Sequence, residues 1–282
     1  ANLALEELKR INAFERKVMI LTTPTGTGWM DPYAVYTLEY MHGGDTANVT
    51  MQYSYLSSQA NVLFSPERAS DSAEALFNAV YGHWKTLPED TRPELYLFGI
   101  SLGSFGSEQS SSLHKIMNDL PAGALWAGPP FLNQMHGNIT KNRNPDSPAW
   151  LPTYEDGSLV RFSALENSLD DFGEDWGPMK IIYMQSASDP MVFFSKNLFY
   201  KKPEWLVGER GPDISPELRW YPIVTFFQVA ADMMMSTSAP LGHGHNYSPI
   251  SYTDCWLELT EPENWDEEMT TRLKELFLQQ DE

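Results

Sequence analysis

The chain has 282 residues, of which 42% are hydrophobic, so it is long enough to bury a sizeable core in one domain. Its 38 acidic residues outnumber its 19 basic residues, and the net charge of −19 excludes nucleic-acid binding and repels anionic lipid over most of the surface. A single cysteine, Cys255, excludes an intrachain disulfide, and no Cys and His cluster has the spacing of a zinc site.

Strand and helix patterns alternate along the first half of the chain. Short apolar runs predict strands at residues 17–22, 47–55, 95–98 and 122–127. Apolar residues at helical spacing predict helices at residues 33–41 and 65–84, and a third helix that follows residues 99–103 and reaches Leu120. The alternation predicts the α/β class, with a mostly parallel sheet covered by helices on both faces.

The alternation lapses over residues 131–178, which are rich in Asn, Asp, Pro and Ser. Such a segment is too long for an ordinary connection, so we expect an excursion near the strand ends that shapes a substrate pocket. A strand pattern resumes at 180–185, and a long apolar helix pattern covers 218–235. With no repeat and no linker in evidence, residues 1–282 are predicted to form a single domain.

No apolar run approaches the ~18 residues that a membrane span requires, and residues 1–16 are amphipathic and charged, unlike a signal peptide. We therefore expect the chain as given to be soluble.

Residues 99–103 have the form G-x-S-x-G, between a predicted strand and a predicted helix. In that context a serine lies on a tight strand-to-helix turn and acts as a nucleophile, so Ser101 is the candidate. The alternative is a turn of small residues without catalytic meaning.

A serine nucleophile requires a base and an acid, which follow it in this architecture in the order acid, then histidine. Only His243 and His245, both in a glycine-punctuated loop, fall in the required place. The sequence favours His245, because Asn246 and Tyr247 can anchor the chain after it, and keeps His243 as the alternate base.

The candidate acid is Asp189, which follows a predicted strand and precedes Pro190. Its rivals are weaker candidates: Asp171 falls in an acidic loop with Asp170, Glu174 and Asp175, Asp213 beside Pro212 has the pattern of a turn, and Asp232 lies within a helix pattern.

Two backbone N–H groups must stabilise the oxyanion that forms during acyl transfer. One is predicted to be that of Leu102, directly after the nucleophile, and the other that of Thr27, in the small-residue loop 25–28. A phosphate-binding loop is the alternative there, but a Gly-Lys-Ser/Thr ending is missing and Asp31 stands where a dinucleotide site requires its third glycine. Some aromatic and methionine side chains are expected to line an apolar acyl pocket and most to lie in the core, without any one being singled out. The candidates are Trp29, Tyr53, Tyr55, Trp126, Phe193, Phe194 and Met233 to Met235.

Longer motifs give the chain a family resemblance. They are AFER at 13–16, TGTGW at 25–29, DP at 31–32, LEY at 38–40, HGGDT at 42–46, MQYSYL at 51–56, SLGSFG at 101–106, ASDP at 187–190, RWYP at 219–222 and GHGH at 242–245. In these the chain resembles a bacterial α/β-hydrolase family whose catalytic domain follows an N-terminal multi-spanning membrane region. The resemblance implies the α/β-hydrolase fold, a serine hydrolase with Ser101, Asp189 and one of the two loop histidines, and a membrane tether ahead of Ala1.

Together these features predict an enzyme that cleaves carboxylic esters through an acyl-enzyme, with no metal or organic cofactor. The expected partner is a small-molecule or lipid-like ester. Two alternatives stay open at this point: an acyltransferase that uses the same triad, and a catalytically silent hydrolase fold that serves as a binding module.

Overall fold

A computed structural model of the protein describes residues 1–165, 168–169, 172–173 and 175–280. Within these residues, one six-stranded sheet is parallel throughout, with the strand order β2-β1-β3-β4-β6-β5. The strands are β1 Val18–Thr23, β2 Thr46–Thr50, β3 Glu94–Ile100, β4 Gly123–Ala127, β5 Val160–Ser163 and β6 Lys180–Met184.

Helices cover both faces of this sheet. The α-helices are α1 Asn2–Arg10, α2 Pro32–Met41, α3 Ser58–Phe64, α4 Glu67–Trp84, α5 Leu102–Ser110, α6 Leu113–Ile116, α7 Gln134–Lys141, α8 Pro190–Phe193, α9 Val224–Met234, α10 Pro249–Thr260 and α11 Glu267–Gln280. Helices α4 and α5 pack on one face and α2 and α10 on the other, with α1 against α4 and α11 against α10. No helix in the described part of the chain has both the length and the hydropathy needed to cross a bilayer.

Two hydrophobic cores lie on the two faces of the sheet because side chains alternate along each strand. In β1, Val18 and Ile20 belong to the core under α2 and α10, whereas Met19 and Leu21 belong to the core under α4 and α5. Every residue of β1 is buried, as expected for a central parallel strand covered on both sides. The predicted α/β class and parallel sheet are confirmed.

The segment 131–178 contains two elements that the sequence pattern missed. Helix α7 begins after Asn133, and β5 pairs with β6 to form an edge of the sheet. The strand is hard to recognise because it has only four residues and includes Arg161, although Arg161 is fully buried. Its guanidinium donates to Glu258 of α10 at 2.6 Å and lies 3.9 Å from the Trp176 ring, so a paired charge occupies a core position.

Two predicted helices are shorter than expected. The helix after Ser101 ends at Ser110, where the Ser110 and Ser111 hydroxyls donate to the carbonyl of Ser107 and compete with helical bonding. The helix predicted over 218–235 begins only at Val224, because Pro222 lacks an N–H and Ile223 has a positive φ of 68°.

A buried carboxyl group joins the helix after Ser101 to the segment 131–178. Glu108 of α5 accepts hydrogen bonds from Asn133 Nδ2 at 2.9 Å, from the Met135 N–H at 3.0 Å and from the Tyr183 hydroxyl at 2.7 Å. Burial raises the pKa of Tyr183 well above its ordinary value, with the Glu108 charge as the second cause, so the phenol stays a donor.

We expect Glu108→Gln to lower the free energy of unfolding by about 2 kcal/mol, because an amide turns one of these acceptors into a donor that faces a buried donor. The matched control is Glu74→Gln, since Glu74 is half-exposed and pairs with Lys115 at the surface. That substitution should cost less than about 1 kcal/mol. Urea unfolding of both variants measures the difference, and equal midpoints would contradict a structural role for Glu108.

Candidate active site

Ser101 lies on a strained turn between β3 and α5. Its backbone has φ 56° and ψ −130°, and its N–H donates to the carbonyl of Ala127 at 2.9 Å. Both glycines of the motif are required by space: a Cβ on Gly99 would lie 2.4 Å from the Gly103 carbonyl oxygen, and one on Gly103 would lie 2.1 Å from the Thr23 carbonyl oxygen. The two glycines therefore allow close packing that holds one serine in an unfavourable backbone conformation. A turn without a functional residue does not require such strain.

Asp189 and His245 form a buried pair. Asp189 follows β6, caps α8 through a hydrogen bond that its Oδ1 accepts from the Met191 N–H at 2.8 Å, and has no exposed surface. Its Oδ2 accepts from His245 Nδ1 at 2.7 Å and from the Tyr247 hydroxyl at 2.6 Å. The opposite imidazole nitrogen, Nε2, is buried and has no hydrogen-bond partner among the described residues.

Glycine also makes room for the imidazole. Gly128, with φ 52°, lies so close to His245 that a Cβ there would be 2.5 Å from Cε1 of the ring. Burial raises the pKa of Tyr247 well above its ordinary value, with the Asp189 charge as the second cause, so its hydroxyl remains a donor to the carboxylate. Sequence reasoning named Tyr247 only as an anchor of the loop and missed its contact with Asp189.

The alternate base, His243, lies elsewhere. Its side chain is 42% exposed, and its Nδ1 is 3.8 Å from Oδ2 of Asp213. It is not among the residues that line the cavity beside Ser101.

Asp213, predicted to be a turn residue, stabilises the loop that precedes Asp189. Its Oδ2 accepts from both the N–H and the hydroxyl of Ser188, and that hydroxyl accepts from the Gly244 N–H at 2.9 Å. Asp213 thus ties the loop before Asp189 to the loop before His245. Among the other rivals, Asp232 lies on α9, Asp175 is exposed, and Asp170, Asp171 and Glu174 lie outside the described residues.

Two backbone N–H groups near Ser101 have no acceptor among the described residues, those of Leu102 and Thr27. Leu102 is the first residue of α5, where helical bonding leaves the N–H free. In the loop around Thr27, the neighbouring N–H groups of Thr25, Gly26 and Gly28 are all paired. Gln52 Nε2, which sequence reasoning missed, donates to the Thr27 carbonyl at 2.9 Å and fixes that peptide.

A cavity of about 420 Å³ connects these groups, and Ser101, Thr27 and His245 line it. Besides Ser101 and Thr27, hydroxyl side chains also contribute to the lining from Thr25, Ser57, Ser58, Ser236, Thr237 and Tyr247. Of the aromatic and methionine side chains named as pocket candidates, only Trp29 lines it. Trp126 is in the core, and Tyr55, Met234 and Met235 are exposed on the surface.

Residues 1–273 match a family model described as the alpha/beta-hydrolase family. The chain belongs to this family. No curated protein matches the chain. Within the described part of this α/β-hydrolase, no three His, Cys, Asp or Glu side chains converge as metal ligands.

The lining of the α/β-hydrolase cavity includes a carboxyl group, that of Asp31. Its Oδ1 caps α2 by accepting from the Tyr33 N–H at 3.1 Å, and its Oδ2 accepts from the Tyr252 hydroxyl at 3.0 Å. Burial raises the pKa of Asp31 from its ordinary 3.8 to about 6 despite these donors. Sequence reasoning used Asp31 only to exclude a dinucleotide site.

The raised pKa of Asp31 makes stability depend on pH. The folded protein holds this proton up to about pH 6 while the unfolded chain releases it near pH 3.8, so the stability from the neutral carboxyl is lost as the pH rises through 6. Asp31→Asn removes the ionisation. We expect the free energy of unfolding of this variant, relative to the native protein, to rise by about 2 kcal/mol between pH 4 and pH 7.5.

Urea unfolding at a series of pH values measures this change. Asp90→Asn, at an exposed position, controls for the loss of one negative charge. A difference between Asp31→Asn and the native protein that is constant with pH would contradict the burial effect.

Proposed function

We propose that this α/β-hydrolase is a serine hydrolase that cleaves carboxylic esters, with Ser101 as nucleophile, His245 as general base and Asp189 as the residue that orients the base. One observation carries the proposal: His245, whose Nδ1 is paired with the buried Asp189 and whose Nε2 is unpaired among the described residues, lines the same cavity as a serine on a strained turn. Nucleophilic catalysis by a serine hydroxyl requires such a base, oriented by a carboxylate and with its second nitrogen free to take the proton.

In the proposed first half-reaction, Oγ of Ser101 attacks the ester carbonyl while Nε2 of His245 takes the hydroxyl proton. Asp189 stabilises the resulting imidazolium through Nδ1 and holds the tautomer. Collapse of the tetrahedral intermediate breaks the bond to the leaving alkoxide, which receives the proton from His245. Water, activated by the same nitrogen, then attacks the acyl-enzyme, releases the carboxylic acid and restores the Ser101 hydroxyl.

The oxyanion of each tetrahedral intermediate is proposed to accept hydrogen bonds from the N–H groups of Leu102 and Thr27. Support comes from their lack of other acceptors among the described residues and from the bond by which Gln52 fixes the Thr27 peptide. Preorganised donors of this kind stabilise charge that develops in the transition state. The proposed mechanism has no step that requires a metal or an organic cofactor.

The cavity supports a substrate whose bound part carries polar groups beside apolar surface, since Trp29, Ile100 and Met191 line it together with the hydroxyl side chains. Hydroxyl groups from three segments line it, and the Asp31 carboxyl group adds a further acceptor. A volume of about 420 Å³ is at the lower end of the range for small-molecule sites. We therefore propose esters in which a compact polar moiety enters the cavity, whether the whole molecule is small or lipid-like. The membrane tether implied by the resemblance stays a prediction.

The two loop histidines provide a matched pair of variants. His245→Ala should lower kcat on p-nitrophenyl acetate by about 10³-fold or more, as should Ser101→Ala, because the residues of a triad act as a unit. His243→Ala should stay within about tenfold of the native rate, since His243 contacts Asp213 rather than Asp189. Steady-state kinetics on one ester, with thermal unfolding to confirm folding, measures both. The reverse ranking would move the base to His243.

Asp189→Asn should lower kcat by several orders of magnitude with little change in KM, because an amide cannot stabilise the imidazolium and favours the wrong tautomer. Asp232→Asn, at an exposed position on α9, is the matched control and should leave kcat unchanged. Native kcat for Asp189→Asn would refute the assignment of the acid.

A further inference from the structure

Helix α9 presents an apolar face to solvent. We define the α9 face as the exposed side chains of Tyr221, Ile223, Val224, Phe227, Met234 and Met235. Phe227, Met234 and Met235 are 61%, 62% and 68% exposed. The opposite side of the helix is buried through Thr225 and Val229. The exposed side also carries Gln228 and Asp232, but its large side chains are apolar. A helix on a protein surface ordinarily places polar residues there, and a contiguous exposed apolar surface marks an interaction site.

A basic segment lies beside this face. The Phe199 ring stacks edge-on against Phe226 of α9 at 5.6 Å, and the Phe199 carbonyl accepts from the Ile223 N–H at 3.0 Å. Around Phe199, residues 195–203 contain Lys196, Lys201 and Lys202 and no acidic residue. The next acidic side chain in sequence, Glu204, pairs with Arg143 at 2.9 Å.

The charge of this region differs from that of the remaining chain. Residues 195–235 contain five basic and five acidic residues, whereas the rest of the chain contains 14 basic and 33 acidic residues. An anionic surface is therefore repelled by most of the protein, whereas this segment presents three lysines next to exposed apolar side chains and carries no excess of negative charge. Apolar side chains flanked by lysines are the combination that binds an anionic bilayer, because the apolar groups enter the headgroup boundary and the lysines meet lipid phosphates.

The α9 face ends at the cavity. Helix α9 is followed directly by Ser236 and Thr237, which line the cavity together with Ser101. The Ser236 carbonyl also accepts from the His245 N–H at 3.1 Å, which ties the end of this segment to the loop of the proposed base. A bilayer in contact with the α9 face would thus lie next to the cavity that contains Ser101.

We propose that the α9 face, with Lys196, Lys201 and Lys202, docks the protein on an anionic phospholipid bilayer. This docking would place the cavity next to esters held at the membrane surface. The inference about substrate rests on the proposed ester hydrolysis: the substrate class is a lipid-like ester associated with the bilayer. Phospholipid accounts for both features of the surface, since its phosphates pair with the lysines and its acyl boundary takes the apolar side chains.

Flotation with vesicles tests the docking directly. The native protein should float with vesicles of equimolar phosphatidylcholine and phosphatidylserine, and weakly or not at all with phosphatidylcholine alone. The double variant Phe227→Ser/Met234→Ser should bind the anionic vesicles at least about tenfold more weakly, because two exposed apolar side chains that would enter the bilayer are lost. Lys201→Ala/Lys202→Ala should weaken binding roughly tenfold and reduce its sensitivity to salt.

The matched control is Leu113→Ser/Met117→Ser, which removes two equally exposed apolar side chains near α6. This control should bind anionic vesicles like the native protein. Both Phe227→Ser/Met234→Ser and Leu113→Ser/Met117→Ser should hydrolyse p-nitrophenyl acetate at the native rate. Absence of native binding to anionic vesicles, or an equal loss in the control, would overturn the proposal. So would a dimer in sedimentation velocity that Phe227→Ser/Met234→Ser dissociates while no vesicle binds, since the face would then be an interface between copies.

Failure of docking and failure of hydrolysis are distinguishable. Ser101→Ala should float with anionic vesicles like the native protein, because Ser101 lies inside the cavity and not on the α9 face. Vesicle binding without ester hydrolysis in the native protein would refute the proposed function and support the docking surface.

Discussion

The left-handed backbone of Ser101 is the constraint on which the surrounding structure depends. A serine held at φ 56° and ψ −130° costs of the order of 1–3 kcal/mol, and it persists only where neighbours enforce it. Here the enforcement is close packing of backbone: Gly103 lies against the Thr23 carbonyl, and a Cβ on Gly106 would be 2.7 Å from the carbonyl oxygen of Ala69 in α4. The close approach of α5 to β1 and α4 therefore fixes both the turn and one face of the sheet.

The residues around that turn are joined by buried hydrogen bonds that cross long stretches of sequence. Asp189 takes donors from Met191, His245 and Tyr247, and Asp213 holds the same two loops together through Ser188. Each hydrogen bond that the Asp189 carboxylate accepts offsets part of the cost of burying it. The result is a carboxylate and an imidazole fixed to one another before any substrate binds, which is the preorganisation that catalysis of acyl transfer needs.

Local patterns predicted the parallel sheet, the turn of Ser101 and the position of Asp189 after a strand. Strand length, glycine spacing and strand ends each depend on residues that are adjacent in sequence. These patterns missed β5, whose buried Arg161 depends on Glu258, 97 residues away. They could not decide between His243 and His245 as the base, because the two differ in the carboxylate that each contacts, Asp213 for His243 and Asp189 for His245. The contacts of Tyr252 with Asp31 and of Gln52 with Thr27 span 221 and 25 residues, and no local period encodes them.

Labelling with a biotinylated fluorophosphonate tests the central claim most directly, because the probe phosphonylates a serine only where a base activates its hydroxyl, with fluoride as the leaving group. Peptide mass spectrometry of the labelled protein identifies the serine. The account predicts one adduct, on Ser101, that is absent in Ser101→Ala and formed far more slowly in His245→Ala than in His243→Ala. No adduct on the folded native protein, or an adduct on another serine that survives Ser101→Ala, would contradict it.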